Sequence, residues 1–510
     1  MHTRDFMLKA TVITLSLCLL LMSMPQQAAE QNTITVFGGL PLPTAEKEID
    51  TNKIELPDMG DSSGTLISPA EEKEYGEAFF RSLHSQILIN QDAEIQSYIQ
   101  ATGEKLVANS DAPSHPFHFF VVMENDINAF AGPGGYVGVN AGLILLTEVE
   151  SELASVMGHE IGHVTQRHLF RAAEAAGRLS IPSAAATIAA VLLGTQSPAM
   201  GQAAIMAIQA GNVQFQIDFT RENEEEADRV GMQILALSKY DPRSMPTFFE
   251  RMQQSTRFYG QAIPEFLRTH PVTASRISDT RGRADTYPYK QYADSMAYLL
   301  TKAKVRVLMS TNLEETNKFF QSKMHQGTVE QRAVARYGVG LIALKTEKHK
   351  EAETIFQELT REYPEQSQYV AALARTALDS RNYKTAVSRY QKLIEQFPDN
   401  DPIKIEYVNA LLKSGKTEQA REILLSLNTN TKLLPIYWQS LAQTYSKLNQ
   451  PAESHRYLAE YYYAMGETYN AILQVRLAQE SKGLNFQLSS ILSERLNFFL
   501  KEQQEAGNNH

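Results

Sequence analysis

The 510-residue chain carries two histidines four positions apart, His159 and His163, with Glu160 beside the first. On a helix, residues at this spacing share a face one turn apart. Both imidazoles can therefore close on a single metal ion. Glu160 can then reach a water activated by that ion and accept its proton. The H-E-x-x-H spacing is the one used by zinc-dependent peptide hydrolysis. The competing reading is a helix that merely carries two histidines.

A catalytic zinc takes three protein ligands and keeps one position open. One arrangement draws the third from a histidine six residues after His163, with glycine three residues before it. Those positions are Leu169 and Gln166, so that arrangement is excluded. His168 falls one residue short and reads as a surface residue or a support for a ligand. A carboxylate from a later helix is the other source, and the run Arg221–Gly231 offers one. Glu224 and Asp228 share a helix face, so one carboxylate can ligate while the other accepts the spare N–H of a ligand histidine. On spacing alone Glu222, Glu224, Glu225 and Glu226 are equivalent, and such a run also fits a solvated face. Ala227 and Gly231 would let this helix pack closely on the first.

Several elements must position these groups. Ser68-Pro69-Ala70-Glu71 predicts a helix opened by a capping box, and a second helix starts near Asp92 with Ile95, Tyr98, Ile99 and Leu106 inward. Phe117–Val122 reads as a strand, in which His115 and His118 have no ligand spacing. The glycine-rich run Asn128–Asn140 turns into a short strand, Gly135, Tyr136, Val137, Gly138, Val139 and Asn140. A strand with small side chains invites close backbone approach, so it is expected to hold an extended substrate peptide by main-chain hydrogen bonds. An ordinary hairpin is the alternative. Thr147-Glu148-Val149-Glu150 predicts a capping box that opens the histidine helix directly after that strand.

The pairing of His159-Glu160-x-x-His163 with Glu224-x-x-Ala227-Asp228 resembles the gluzincin family of CaaX prenyl endopeptidases and HtpX-type heat-shock proteases. Asn128-Ala129-Phe130, Pro133-Gly134-Gly135 and Thr269-His270-Pro271-Val272-Thr273-Ala274-Ser275-Arg276-Ile277 resemble it too, so the likeness covers roughly residues 68–285. It implies a zincin-type α+β metalloprotease domain holding one Zn2+ per chain through His159, His163 and Glu224. It further implies Glu160 as general base and Asp228 as the support of a ligand. His270 would either donate to the oxyanion of the tetrahedral intermediate or occupy the open position of the zinc. Integral-membrane members of the family carry several spanning helices. No such segment follows the N-terminal run here, which points to an exported branch.

Residues 1–29 read as a cleaved secretory signal: Arg4 and Lys9, then an apolar run from Ala10 to Met24, then Pro25–Ala29. A retained anchor is the alternative, but the run is short for a span. Cys18, the only cysteine, has Leu17 before it and more leucines after it, which excludes a lipoprotein site. The mature chain would then have no disulfide, thiolate ligand or cysteine nucleophile, which suits a bacterial periplasm. A net charge of -10 argues against nucleic acid or an anionic membrane as main partner. Residues 30–67 read as an extended segment. The apolar stretch 179–211 reads as a helical hairpin that is a lid, an oligomer or membrane-surface contact, or plain core.

After about residue 290 an internal period of 34 residues appears. Gly340 aligns with Ala374, Ala352 with Ala386 and Ala420, Phe356 with Tyr390 and Leu424, and Pro364 with Pro398. This is tetratricopeptide spacing, in which paired helices stack into a solenoid with a concave protein-binding face. A fourth unit follows at Trp438–Leu458, with a degenerate leading repeat at 295–325 and a capping pair at 467–503. The expected architecture is mainly α: a signal, an extended segment, a protease domain at 68–285 and an all-α solenoid at 290–505. This order resembles an envelope quality-control branch of the family. That implies unfolded or misassembled outer-membrane proteins as substrates and the barrel-assembly machinery as partner.

Overall fold

Ser68 opens the first helix, α1 (Pro69–His84), through a reciprocal cap: Glu71 N–H donates to Ser68 Oγ, and Ser68 N–H donates to Glu71 Oε2. In this computed structural model the described residues are 67–84, 86–175, 221–258, 264–427, 431, 434–482 and 484–508. The expected signal with Cys18, the extended segment up to residue 66 and the apolar stretch 179–211 lie outside them. No described helix is long and apolar enough to cross a membrane.

Asp92 caps α2 (Ala93–Val107) by accepting from the N–H groups of Glu94 and Ile95. The buried face of α2 lies on a three-stranded sheet of β1 (His118–Val122), β2 (Ala129–Ala131) and β3 (Tyr136–Asn140). The order is β1-β3-β2, with β1 parallel and β2 antiparallel to β3.

This order corrects the expected substrate strand. Gly135 ends a 3-10 turn, and Tyr136–Asn140 is the central strand, buried throughout. Its ladder runs from His118↔Tyr136 to Val122↔Asn140 on one side and from Ala129↔Val139 to Ala131↔Val137 on the other. Both edges are committed, so Tyr136, Val137, Gly138, Val139 and Asn140 cannot pair with a peptide. Glycine is needed at Gly138 for a packing reason. A Cβ there would lie 2.6 Å from the Phe130 ring and 2.9 Å from the Phe120 ring.

A short helix, α3 (Ala141–Leu146), separates β3 from the histidine helix, α4 (Glu150–Thr165). The predicted capping box at Thr147 does not form. Thr147 Oγ1 donates instead to Ile144 O and lies 2.9 Å from the Tyr298 hydroxyl. The N-terminus of α4 is capped from far along the chain, by Asp294 Oδ1 accepting from Glu150 N–H at 2.7 Å. A carboxylate there also suits the positive end of the helix dipole.

Next come α5 (His168–Ala175), α6 (Arg221–Leu237), α7 (Ser244–Phe258), α8 (Glu265–Thr269) and α9 (Ala274–Ala284). Helix α6 packs backbone to backbone on α4. A Cβ on Gly162 would lie 3.0 Å from Ala227 O, and one on Gly231 3.0 Å from His159 N.

The second half is a series of helix pairs: α10 (Met296–Met309) with α11 (Leu313–Lys323), α12 (Val329–Lys345) with α13 (His349–Glu362), and α14 (Ser367–Asp379) with α15 (Tyr383–Gln396). They continue as α16 (Asp401–Lys413) with α17 (Thr417–Ser426), α18 (Pro435–Lys447) with α19 (Pro451–Ala464), and α20 (Thr468–Glu480) with α21 (Phe486–Asn508). The aligned residues form the repeating core: Ala352, Ala386, Ala420, Phe356, Tyr390 and Leu424 are fully buried. Small residues stand where paired helices touch, since a Cβ on Gly340 would lie 2.6 Å from the Phe356 ring.

The array grips the first half at both ends. Glu150 accepts from Ser295 N–H and Ser295 Oγ at 2.8 Å each, and Lys304 Nζ lies 2.7 Å from Asp92 and 2.6 Å from Glu94. Near the far end Arg81 pairs with Glu502 at 2.9 Å and covers the Tyr463 ring.

Substituting Gly231→Val would force methyl groups into the α4 backbone. Overpacking of this kind costs about 1–3 kcal/mol, so the midpoint of thermal or urea unfolding should fall. An unchanged midpoint would mean that the two helices are not held this close.

Candidate metal centre

Helix α4 presents His159, Glu160 and His163 from consecutive turns, all buried. Helix α6 adds Glu224 and Asp228, one turn apart and both buried, whereas Glu222 is exposed and Glu225 and Glu226 are partly so. His270 follows α8, where its N–H donates to Phe266 O and the Phe266 N–H donates to Ile127 O, docking this turn on the loop that leads into β2. His159, His163, Glu224 and His270 each offer a ligand atom, and these atoms lie within 4.8 Å of one another. His115 and His118 are not among them.

His163 Nε2 faces His159 Nε2 at 3.0 Å and Glu224 Oε1 at 3.4 Å. His270 Nδ1 is 3.0 Å from Glu224 Oε1 and 3.4 Å from His159 Nε2. On the far side of its ring, His159 Nδ1 sits 2.9 Å from Asp228 Oδ1. If each ligand histidine gives its proton to that outer partner, the two Nε2 atoms present lone pairs to each other. A cation between them resolves that clash, and two imidazoles with a carboxylate are a donor set that suits zinc. The residues therefore fit a metal. Glu160 lies beside the cluster, its Oε1 3.6 Å from His270 Nε2 and without a hydrogen bond.

Arg276 binds the carboxylates together. Its Nε and Nη2 donate to Asp228 Oδ2 and Oδ1 at 2.8 Å each, and its Nη1 is 2.7 Å from Glu224 Oε2. The same Nη1 donates to Pro271 O, one residue past His270. Thr273 caps α9 by accepting from Arg276 N–H, which sets where this side chain leaves the helix.

Charge balance follows from these contacts. Burial alone would raise Glu224, but the His270, His159 and His163 rings hold its carboxyl well below the usual range. Burial also opposes ionised Asp228, and the Arg276 guanidinium lowers it nonetheless. His159 is buried against its charge, yet the Asp228 and Glu224 carboxylates push it up to about 9. Burial pushes the Glu160 carboxyl up, the direction that suits a group that must both take and return a proton. His163 is driven down by burial.

The sequence leaves three further residues without a defined role. Arg276 lay in a quoted motif, but its pairing with Asp228 and Glu224 had no local signal. His168, read as surface or support, is fully buried with its Nδ1 2.8 Å from His163 Nδ1. Glu226 was one of four equivalent glutamates and accepts from the far side of the His168 ring at 3.0 Å.

A buried H-E-x-x-H helix crossed by a second helix that supplies a glutamate, joined to stacked helix pairs, defines a metallopeptidase with tetratricopeptide repeats. A model described as Peptidase family M48 matches residues 93–284, and a tetratricopeptide-repeat model matches 377–443. The chain belongs to peptidase family M48 and is a metalloprotease. It is 34% identical over 417 residues to the beta-barrel assembly-enhancing protease of Escherichia coli K12, covering 82% of this chain and 85% of that one. It is 36% identical over 401 residues to a putative beta-barrel assembly-enhancing protease of Vibrio cholerae, covering 78% and 83%. It is also 28% identical over 204 residues to the mitochondrial metalloendopeptidase OMA1 of Schizosaccharomyces pombe, covering 40% of this chain and 55% of that one.

Replacing Arg276 with Met leaves Glu224 and Asp228 buried without their countercharge. Breaking one side of a buried ion pair costs about 3–5 kcal/mol, so Arg276→Met should unfold at markedly lower temperature. Equal melting temperatures for variant and wild type would remove this role.

Proposed function

We propose that the chain is a zinc endopeptidase in which His159, His163 and Glu224 bind the ion and Glu160 is the general base. The observation that carries this is the convergence of those ligand atoms beside a buried carboxylate whose protonation burial favours. When bound, zinc supplies a Lewis acid for the scissile carbonyl and brings the pKa of water down toward ~7. Glu160 accepts the proton of the attacking water and returns it to the leaving amine nitrogen. Asp228 holds the His159 ring in the tautomer that points Nε2 inward. Among the described residues the peptide has one strand edge to pair with beside the site helix. That is β2, an edge strand with a single ladder neighbour, packed on α4.

His270 has both ring nitrogens within reach of the cluster, Nδ1 toward Glu224 and Nε2 toward Glu160. This supports occupation of the open ligand position, which keeps the enzyme latent until a partner or substrate displaces it. Donation to an oxyanion is the alternative role.

The wider assignment leans on the relatives' names and the repeats. It places the protein in the bacterial periplasm after signal cleavage, with a protease domain at 68–285 and a repeat domain at 290–505. There it degrades unfolded or misassembled outer-membrane proteins and meets the barrel-assembly machinery through the repeats. A second reading is an assembly chaperone whose protease stays mostly silent, and the position of His270 favours it.

Glu160→Gln should retain zinc and lose casein cleavage by about 100-fold or more, the usual worth of a positioned acid–base. His270→Ala should raise basal cleavage if the histidine guards the ion and lower it if it stabilises the oxyanion; no change in either would remove both roles. Wild-type protein that cleaves nothing, with Glu160→Gln still supporting outer-membrane assembly in cells, would favour the chaperone.

A further inference from the structure

Helix α4 ends in a turn at Arg167, which takes a left-handed conformation with φ 54° and donates its N–H to Val164 O. This reversal folds the next residue, His168, back against the last turn of α4. His168 is fully buried although it opens a helix of mixed composition. It meets His163 on the Nδ1 side, away from the Nε2 that faces His159, so it is not a third ligand and its ring is used differently.

The proton positions along this ring chain follow from one requirement. His163 turns Nε2 toward His159 and Glu224, so Nε2 must keep its lone pair to act as a ligand. A neutral imidazole then carries its proton on Nδ1. That proton points at His168 Nδ1, 2.8 Å away, which must accept it. His168 accordingly carries its own proton on Nε2, 3.0 Å from Glu226 Oε2. The same oxygen accepts from Arg171 Nη2 at 2.9 Å, and Arg171 Nη2 also donates to Asn223 Oδ1 at 2.9 Å. Each group has one consistent role, and the order from the outside inward is Arg171, Glu226, His168, His163. The other ligand histidine is held differently, directly by the Asp228 carboxylate.

We propose that His168 and Glu226 are positioning residues that fix the tautomer and ring angle of His163, with Arg171 clamping the outer end. The two ligand histidines are thus oriented by different partners. His159 is set by α6, and His163 is set jointly by α5 and α6. A carboxylate could not replace His168 without two acceptors, Glu226 and the newcomer, facing each other. An imidazole is the group that accepts on one side and donates on the other.

The test uses the full chain and measures metal binding as well as cleavage, because the proposal rests on the metal-centre reading. Zn2+ affinity is read by chelator competition, and ligand geometry by the visible absorption of the Co2+ form. His168→Phe keeps a buried ring without nitrogens and should weaken Zn2+ binding about 10–100-fold, the range for loss of an outer hydrogen-bond partner. It should also shift the Co2+ spectrum. Glu226→Gln should move both readouts the same way by less. His168→Gln, whose amide can accept from His163 and donate to Glu226, should recover part of the affinity. A purely structural role would lower the melting temperature of the metal-free protein and leave affinity and spectrum at wild-type values, and that result overturns the proposal. If His168→Phe does not fold, wild-type affinity and spectrum in Glu226→Gln overturn it alone. Wild-type protein that binds neither ion overturns the metal-centre reading instead.

Discussion

The close approach of α4 and α6 is the constraint on which the rest depends. Their backbones meet through Gly158, Gly162, Ala227 and Gly231, leaving no room for larger groups at the crossing. That contact brings Glu224 and Asp228, more than sixty residues downstream, within reach of His159 and His163. A metal ligand set tolerates displacements of only a few tenths of an ångström, so the helices must be held by packing rather than by the ligands. Small residues at the crossing make the packing tight and short-ranged.

Concentrating carboxylates and imidazoles there creates a charge problem that other elements offset. Arg276 reaches in from α9 and pairs with Glu224 and Asp228 of α6. Its Thr273 cap and its bond to Pro271 O tie it to the segment that carries His270. The guanidinium therefore links the charge of Glu224 to the position of His270. Any motion that withdraws His270 must work against or around this anchored arginine.

The repeat array is part of the same mechanical unit. Asp294 and Ser295, at the entrance to the array, cap and grip Glu150 at the start of the histidine helix. Lys304, half-buried between Asp92 and Glu94, bonds the array to the helix that underlies the sheet. With Arg81 and Glu502 paired near the far end as well, the array is held at two places and is not a loosely tethered module. Whatever binds the array acts on a body that also orients the site helix. That is a physical route by which recognition and proteolysis can be coupled.

Local sequence carried much of this protein. His159-Glu160-x-x-His163 raises metal chemistry as one of two readings because helical spacing alone puts both rings on one face. The caps at Ser68 and Asp92 and the 34-residue period are legible for the same reason: each depends on residues within one or two turns or one repeat. The contacts that sequence could not decide join residues far apart. Glu224 stands out from Glu222, Glu225 and Glu226 only by facing α4. Thr147 loses its role as a cap because Asp294 arrives from the array. Tyr136–Asn140, at the end of a glycine-rich run, reads as an open edge, yet two phenylalanines and two neighbouring strands enclose it. His168 looked one residue out of place until the turn at Arg167 folded it onto His163. Periodicity and spacing define which face a side chain occupies; only tertiary packing decides what that face meets, because burial, pairing and charge compensation are properties of the neighbour as much as of the residue.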